Sequence, residues 1–344
     1  MAERDGADPA GREVLIGLTG MAGPWAVRVA ATLRLADLVA EGGTGLAELA
    51  VRAGADPDAL GCLLRFLVAR GMFDEPVPGV FAVNDAARWL REEHPGRLRR
   101  WLDLEGAGGA MDRAYGGLLG TVRTGKAAYP VVSGRSFWED LAADARLAVS
   151  FASLMEAHSG ELADDVLAGY PWAEKSLVVD VGGGTGTLLA RILSSHPHLR
   201  GILVDLMSGS AEAARVLQDA GVTDRCRRVV ADFFGSLPAG ADVYLLRNII
   251  HDWPDEPAVA ILRRCAQAAG GSGRVLVVDR VVTRDGDQLE LTGMDLRMLL
   301  LFGSRERSVE EFSALAGTAG MRLVSTRATA SSYWLLEFAA GQSG

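Results

Sequence analysis

The chain is short of several things, and each shortage narrows what it can be. Among 344 residues there are three cysteines, Cys62, Cys226 and Cys265, far apart and without the spacing of a disulfide framework or a zinc site. Cys62 and Cys265 fall within helical patterns and read as buried thiols, which suits a reducing compartment. No uninterrupted apolar run approaches the 18 or so residues that a membrane-spanning helix needs. Positive charge is also scarce: 35 Lys and Arg against 44 Asp and Glu leave a net charge of −9, with no basic cluster. Nucleic acid is therefore a poor partner, and a small molecule is the expected ligand. The opening MAERDGADPA has neither a basic start nor an apolar core, so no export signal is expected and a cytoplasmic setting is.

Residues 177–206 read LVVDVGGGTGTLLARILSSHPHLRGILVDL. An apolar run ends in Asp180, glycines follow at once, a helical stretch comes next, and a second apolar run ends in Asp205. Apolar runs of this kind, bounded by glycine, are buried parallel strands. Leu188, Leu189, Ile192 and Leu193 give the segment between them one apolar helical face. The unit is the opening of a nucleotide-type α/β fold, with ligand expected at the C-terminal ends of the strands. Gly182, Gly184 and Gly186 let the backbone turn and approach a ligand with no Cβ in the way. No Gly-Lys-Ser/Thr follows, so a phosphate loop is not expected, and Thr187 stands where a dinucleotide loop has its third glycine. Asp205 could hold both ribose hydroxyls of NAD or of S-adenosylmethionine. A purely structural glycine turn is the remaining alternative.

Residues 1–12 read as unstructured. Two helices are expected between Glu13 and Ala40, then helices from Thr44 to Ala53 and from Asp58 to Ala69. A small hairpin from Met72-Phe-Asp and Gly79-Val-Phe-Ala-Val follows. This is a winged-helix unit, but its second helix is short of basic residues and starts beside Asp56 and Asp58, so phosphate would be repelled. It reads as packing surface. Arg88–Met111 is amphipathic, and a longer helix is expected from Asp140 to about His158. Tyr115, Tyr129, Phe137 and Trp138 lie between and could line a flat apolar pocket or simply be core. Five strands are expected at 177–180, 201–205, 226–230, 242–247 and 274–279. Two more, 321–327 and 333–338, stand so close that only a hairpin joins them, which makes the last strand antiparallel.

Asp232 in ADFF follows the third of these strands and could accept the adenine amine while Phe233 packs on the ring. The fourth strand runs into RNIIHDWPDE, placing His251 at the ligand end of the sheet beside Asp252 and Trp253. An imidazole can accept a proton near neutrality, and a carboxylate on its other nitrogen fixes the tautomer. Asp279 and Glu306 are the acids placed to do this. His251, Asp252, Asp255 and Glu256 could in principle meet a metal ion, but Asp255 and Glu256 suit a helix's first turn, and no metal is expected.

Taken together, DVGGGTG (180–186), Asp205, ADFF, RNIIHDWPDE, RVLVVDRVV and MDLRMLLLFGSRERS resemble the plant-type small-molecule O-methyltransferases, including those of bacterial aromatic polyketide and antibiotic pathways. The likeness runs from about Val14 to Phe338. It implies a Rossmann-like methyltransferase sheet with an antiparallel last strand, preceded by a mainly helical winged-helix dimerisation domain at 13–110. A helical acceptor segment would cover 111–176 and the catalytic domain 177–340. It implies S-adenosylmethionine as cofactor and S-adenosylhomocysteine as product. Asp180, Gly182, Gly184, Gly186, Asp205, Asp232, Phe233 and Arg247 would hold that cofactor. His251 would be the general base, oriented by Asp279 and Glu306. Met155 and His158 of SLMEAH, with Phe151, Asp252 and Asp295, would face an aromatic hydroxyl acceptor. A homodimer is implied, with neither nucleic acid nor membrane as partner. Two residues depart from the family pattern: Arg247 replaces a usual Lys, and Asp279 a usual Glu, one methylene longer. Some bacterial members keep the cofactor site but act as a hydroxylase or decarboxylase, and a non-catalytic regulatory dimer is a further alternative.

Overall fold

The computed structural model describes residues 9–157, 159–283 and 288–340, and divides at Ala110/Met111 into two units. The first is mainly helical. Its helices Leu46–Ala53 and Pro57–Ala69 precede strands β1 (Asp74–Val77) and β2 (Val80–Ala82), which pair antiparallel. Asp56 starts the second helix by accepting the Ala59 amide at 2.9 Å, with Pro57 in the first turn. Leu35, Leu49, Leu64, Leu67, Phe73 and Phe81 form its core.

Four expectations for this unit need correction. The two helices expected between Glu13 and Ala40 are three, Pro9–Thr19, Ala22–Thr32 and Leu35–Ala40. Helix begins at Pro9, so residues 9–12 are structured; residues 1–8 lie outside the described set. The hairpin's first strand starts two residues later than expected, with Pro76 inside β1, while its second lies within the expected stretch 79–83. Cys62 is exposed, because the helix buries the side bearing Leu60, Leu64 and Leu67. Gly11–Thr32 is, among the described residues, the one stretch long and apolar enough by composition to cross a membrane. It is broken at Gly20 and Met21, and Ala26, Ala30 and Ala31 of its second half enter the core.

In the second unit a seven-stranded sheet has the order β5-β4-β3-β6-β7-β9-β8. Its strands are β3 (Leu177–Val181), β4 (Arg200–Val204), β5 (Cys226–Val229), β6 (Val243–Arg247), β7 (Arg274–Arg280), β8 (Met321–Ala328) and β9 (Tyr333–Ala340). The first five are parallel, and β9 runs antiparallel to both β7 and β8, as the short 328–333 link requires. Side chains alternate between two apolar layers. Val179, Val181, Tyr244, Leu246, Val275 and Val277 pack towards helices Asp255–Ala269 and Val309–Thr318. Val178, Val243, Leu245, Leu276 and Val278 pack towards helix Thr187–Ser195 on the other face. The order reverses between β3 and β6, the place where such sheets open a crevice at their carboxyl ends.

Upstream of the sheet, the long helix expected from Asp140 is two: Phe137–Ala143 and Ala145–Ala157. Asp144 breaks it by turning extended and accepting the Arg146 amide at 2.8 Å. The amphipathic stretch 88–111 is likewise divided, into Asp85–Arg88, Leu98–Leu102 and Ala107–Arg113. Leu245 sits fully buried on the central β6. Leu245→Ala should lower unfolding free energy by about 2–5 kcal/mol, seen as an earlier urea midpoint with an unchanged slope.

Candidate active site

The glycine turn after β3 uses a left-handed backbone three times, at Gly182 (φ 72°), Gly184 (59°) and Gly186 (82°). A Cβ on Gly182 would lie 2.5 Å from Ile249 Cδ1 and 3.4 Å from Phe233, so the turn, ADFF and the segment after β6 meet there. A Cβ on Gly184 would meet nothing within 4 Å, leaving that rim open to a ligand. Asp205, at the end of β4, accepts the Gly184 amide at 3.0 Å and fixes the rim's height. Asp180 lies beneath, with Oδ2 buried and lacking a hydrogen-bond partner. Burial pushes its pKa to about 7, against the pull of Arg247 and with a push from Asp205. Asp232 is exposed and closes a turn onto the Phe234 amide at 2.9 Å, which presents the half-buried Phe233.

Beyond β6 the chain turns through Asn248, left-handed at φ 52°, whose amide donates to Val278 O at 3.1 Å. It then forms the short 3₁₀ turn Ile250–Asp252. That turn buries His251 among three carboxylates. Nδ1 donates to Glu306 Oε1 at 3.0 Å, with Asp279 Oδ1 at 3.7 Å, and Nε2 lies 3.4 Å from Asp252 Oδ1. The shorter Asp279 arm thus stops outside hydrogen-bond range, and both its oxygens are buried without a partner. Burial opposes charge on the imidazole, but Asp279, Asp252 and Glu306 outweigh it, and the His251 pKa is raised well above 6.5. Burial likewise raises Asp252 and Asp279 to about 7, with His251 pulling each back. The cluster therefore stores protons near neutral pH.

Asp295 faces this cluster indirectly: its Oδ1 accepts the Glu306 amide at 2.8 Å. Phe151 packs edge-on against Phe137 and Trp138, and Trp138 stacks on Phe302 (5.2 Å, 7°) and Trp253 (6.2 Å, 14°). Trp253 meets Phe234 and Phe233 in turn, so an aromatic wall runs from the helices before the sheet to ADFF. Met155 is half-buried; His158 lies outside the described residues. Asp255 is engaged by Arg307, at 2.8 Å, a contact sequence reading did not foresee. Ser304 was missed too. The two cations of SRERS are the local signal, but nothing in the sequence fixes which arginine turns inward or which acid it meets.

The O-methyltransferase domain profile matches residues 115–322, and an O-methyltransferase dimerisation domain profile matches residues 18–93. The chain belongs to the O-methyltransferase family. A 2,7-dihydroxy-5-methyl-1-naphthoate 7-O-methyltransferase of Streptomyces carzinostaticus is 47% identical over 304 residues, covering 88% of this chain and 91% of the relative. Aclacinomycin 10-hydroxylase RdmB of Streptomyces purpurascens is 42% identical over 336 residues, covering 95% and 90%. The structure of the O-methyltransferase NcsB1 from neocarzinostatin biosynthesis, in complex with S-adenosylmethionine and 2-hydroxy-5-methyl naphthoic acid, superposes with TM-score 0.88 at 45% identity, covering 94% and 98%. The residues here fit such a cofactor: an open rim at Gly184, an acid at the end of β4, and an unpartnered Asp180 oxygen beneath.

Asp279 supplies the first of the charges that raise the His251 pKa. Asp279→Asn removes it, so the ring should titrate at lower pH than in the parent protein. An NMR titration of the imidazole resonances reads this directly; an unmoved midpoint would deny Asp279 any electrostatic hold on the ring.

Proposed function

We propose that this methyltransferase moves a methyl group from S-adenosylmethionine to a hydroxyl of a flat aromatic acceptor, with His251 taking the proton. The observation that carries the reading is the buried Nδ1–Glu306 hydrogen bond at 3.0 Å, which leaves Nε2, 3.4 Å from Asp252 Oδ1, as the nitrogen that can exchange a proton with an acceptor, two residues after the Ile249 that packs on the glycine turn. When bound, the cofactor supplies a methyl already activated by its sulfonium. The chain's own task is to hold the acceptor oxygen in line and relieve it of its proton as the new O–C bond forms. Gly182, Gly184 and Gly186 with Asp180 and Arg247 would seat the amino-acid end of the cofactor, Asp205 its ribose, and Asp232 with Phe233 its adenine. Phe151, Met155 and the Trp138–Trp253 wall would take the acceptor's flat faces, with Asp252 beside its reacting edge. The acceptor class, a naphthoate-like or related polycyclic phenol, follows the relatives named above.

A non-catalytic dimer accounts poorly for this cluster, because burying a histidine among three acids costs desolvation that apolar packing would avoid. The first unit leaves Leu15, Leu18 and Met21 exposed, the sort of apolar surface that a second copy of the chain would bury as a homodimer. A cytoplasmic setting, where thiols stay reduced, suits its three free cysteines.

His251→Gln should lower kcat with a phenolic acceptor by on the order of 10²- to 10⁴-fold. In the parent enzyme the base must first lose the proton its raised pKa retains, so kcat/KM should climb with pH through a limb lying above 6.5. Near-parental turnover by the Gln variant removes the base role. Appearance of a hydroxylated, unmethylated product would favour the hydroxylase alternative. Separately, Asp205→Ala should weaken S-adenosylhomocysteine binding by roughly tenfold or more without unfolding the protein, as a lost charged hydrogen-bond partner does; calorimetric titration with unchanged affinity would refute the ribose assignment.

A further inference from the structure

The His251 turn is gripped from outside, and in a way its own length makes necessary. A single 3₁₀ turn closes on itself only once, here from the Trp253 amide to Ile250 O at 3.3 Å, and its residues Ile250 and His251 are buried. Ser304, which is buried, has its one hydroxyl proton within reach of two carbonyls, His251 O in the turn at 2.6 Å and Trp253 O just after it at 2.9 Å. Arg307 is 1% exposed. Its Nη1 donates to Ile250 O at 2.9 Å, its Nη2 to Trp253 O at 2.8 Å, and its charge is met by Asp255 at 2.8 Å.

Between these two residues stands Glu306, which holds the imidazole itself. The same loop is tied to the exit of β7, since Val282 donates to Arg307 O at 3.0 Å three residues after Asp279. We infer that Ser304 and Arg307 are positioning residues for His251, so that one four-residue loop fixes the histidine by its backbone and by its ring together. The inference rests on the base role proposed above. Surface carbonyls are satisfied by water at no such expense, whereas a buried guanidinium is retained only with a full set of partners. Here all of those acceptors except Asp255 are carbonyls of the turn that carries His251 or of Trp253, the residue that ends it. The ring is thus held through its backbone and through Nδ1 at once, the kind of fixed geometry that proton transfer in a crowded site demands.

Ser304→Ala is the test, made in the full-length protein with Ser304→Cys as the graded variant, because a thiol is a weaker donor of similar shape. The alanine variant should lose roughly tenfold to a hundredfold in kcat. Its affinity for S-adenosylhomocysteine and its KM for S-adenosylmethionine should stay at parental values, with the cysteine variant between. In the same samples, the NMR titration of the His251 ring should shift or broaden and the acidic limb of kcat/KM should move with it. Arg307→Lys, which keeps the charge near Asp255 but loses the fork, should show the same pattern and so guard against a folding artefact. Parental kcat, pH limb and ring titration in Ser304→Ala would overturn the inference, leaving the hydroxyl a purely structural one. His251→Gln separates the two proposals. If that variant keeps parental turnover the base role fails, while the ring titrations still report whether the loop positions the histidine.

Discussion

A 3.0 Å hydrogen bond sealed from water, between His251 and Glu306, sets the terms for much of what surrounds it. An imidazole and three carboxyl groups in one dry pocket cannot all adopt their ordinary charges. Burial makes each isolated charge costly, and mutual attraction offsets that only where the geometry is close. The structure resolves the conflict by retaining protons: the His251 pKa lies well above its usual value, and Asp252 and Asp279 are raised to about 7.

The sheet makes this pocket possible. Parallel pairing of β3 with β6 and of β6 with β7 brings their carboxyl ends to one edge: Asp180 stands opposite Leu245, and Arg247 opposite Val278. The antiparallel β9, paired to β7 along its length, shields Asp279 from solvent by setting it opposite Trp334. The acid can then act on the ring without competing water. Alternation does the rest. Asp279 has the parity of Val275 and Val277 and so falls on the face covered by helices Asp255–Ala269 and Val309–Thr318, where the Ser304–Arg307 loop also ends.

How much of this could be read beforehand follows from the range of the interactions involved. The glycine turn, Asp205 and the His251 motif announce themselves because their chemistry is written within a few residues, and the antiparallel last strand follows from a link too short for a crossover. The interruption at Asp144 was missed because apolar periodicity continues through it, while the aspartate's preference for capping a new helix is a local effect of comparable size. The Ser304 and Arg307 contacts were missed for the opposite reason. They join residues more than 50 positions apart, and no periodicity tells which of Arg305 and Arg307 is buried. Arg305 in fact faces outward to Glu311, while Arg307 turns in.

The two halves of the site are built on opposite faces of the sheet, and this bears on the chemistry the scaffold can host. The glycine turn leads into helix Thr187–Ser195 in one layer, whereas His251, Glu306 and Arg307 are held by the layer on the other side. They meet closely at the contact between Gly182 and Ile249. A change around His251 can therefore leave the rim at Gly184 and Asp205 in place, since side chains on one layer need not repack the other. On this construction, a methyltransferase and a hydroxylase can both be similar to one chain over nearly its whole length.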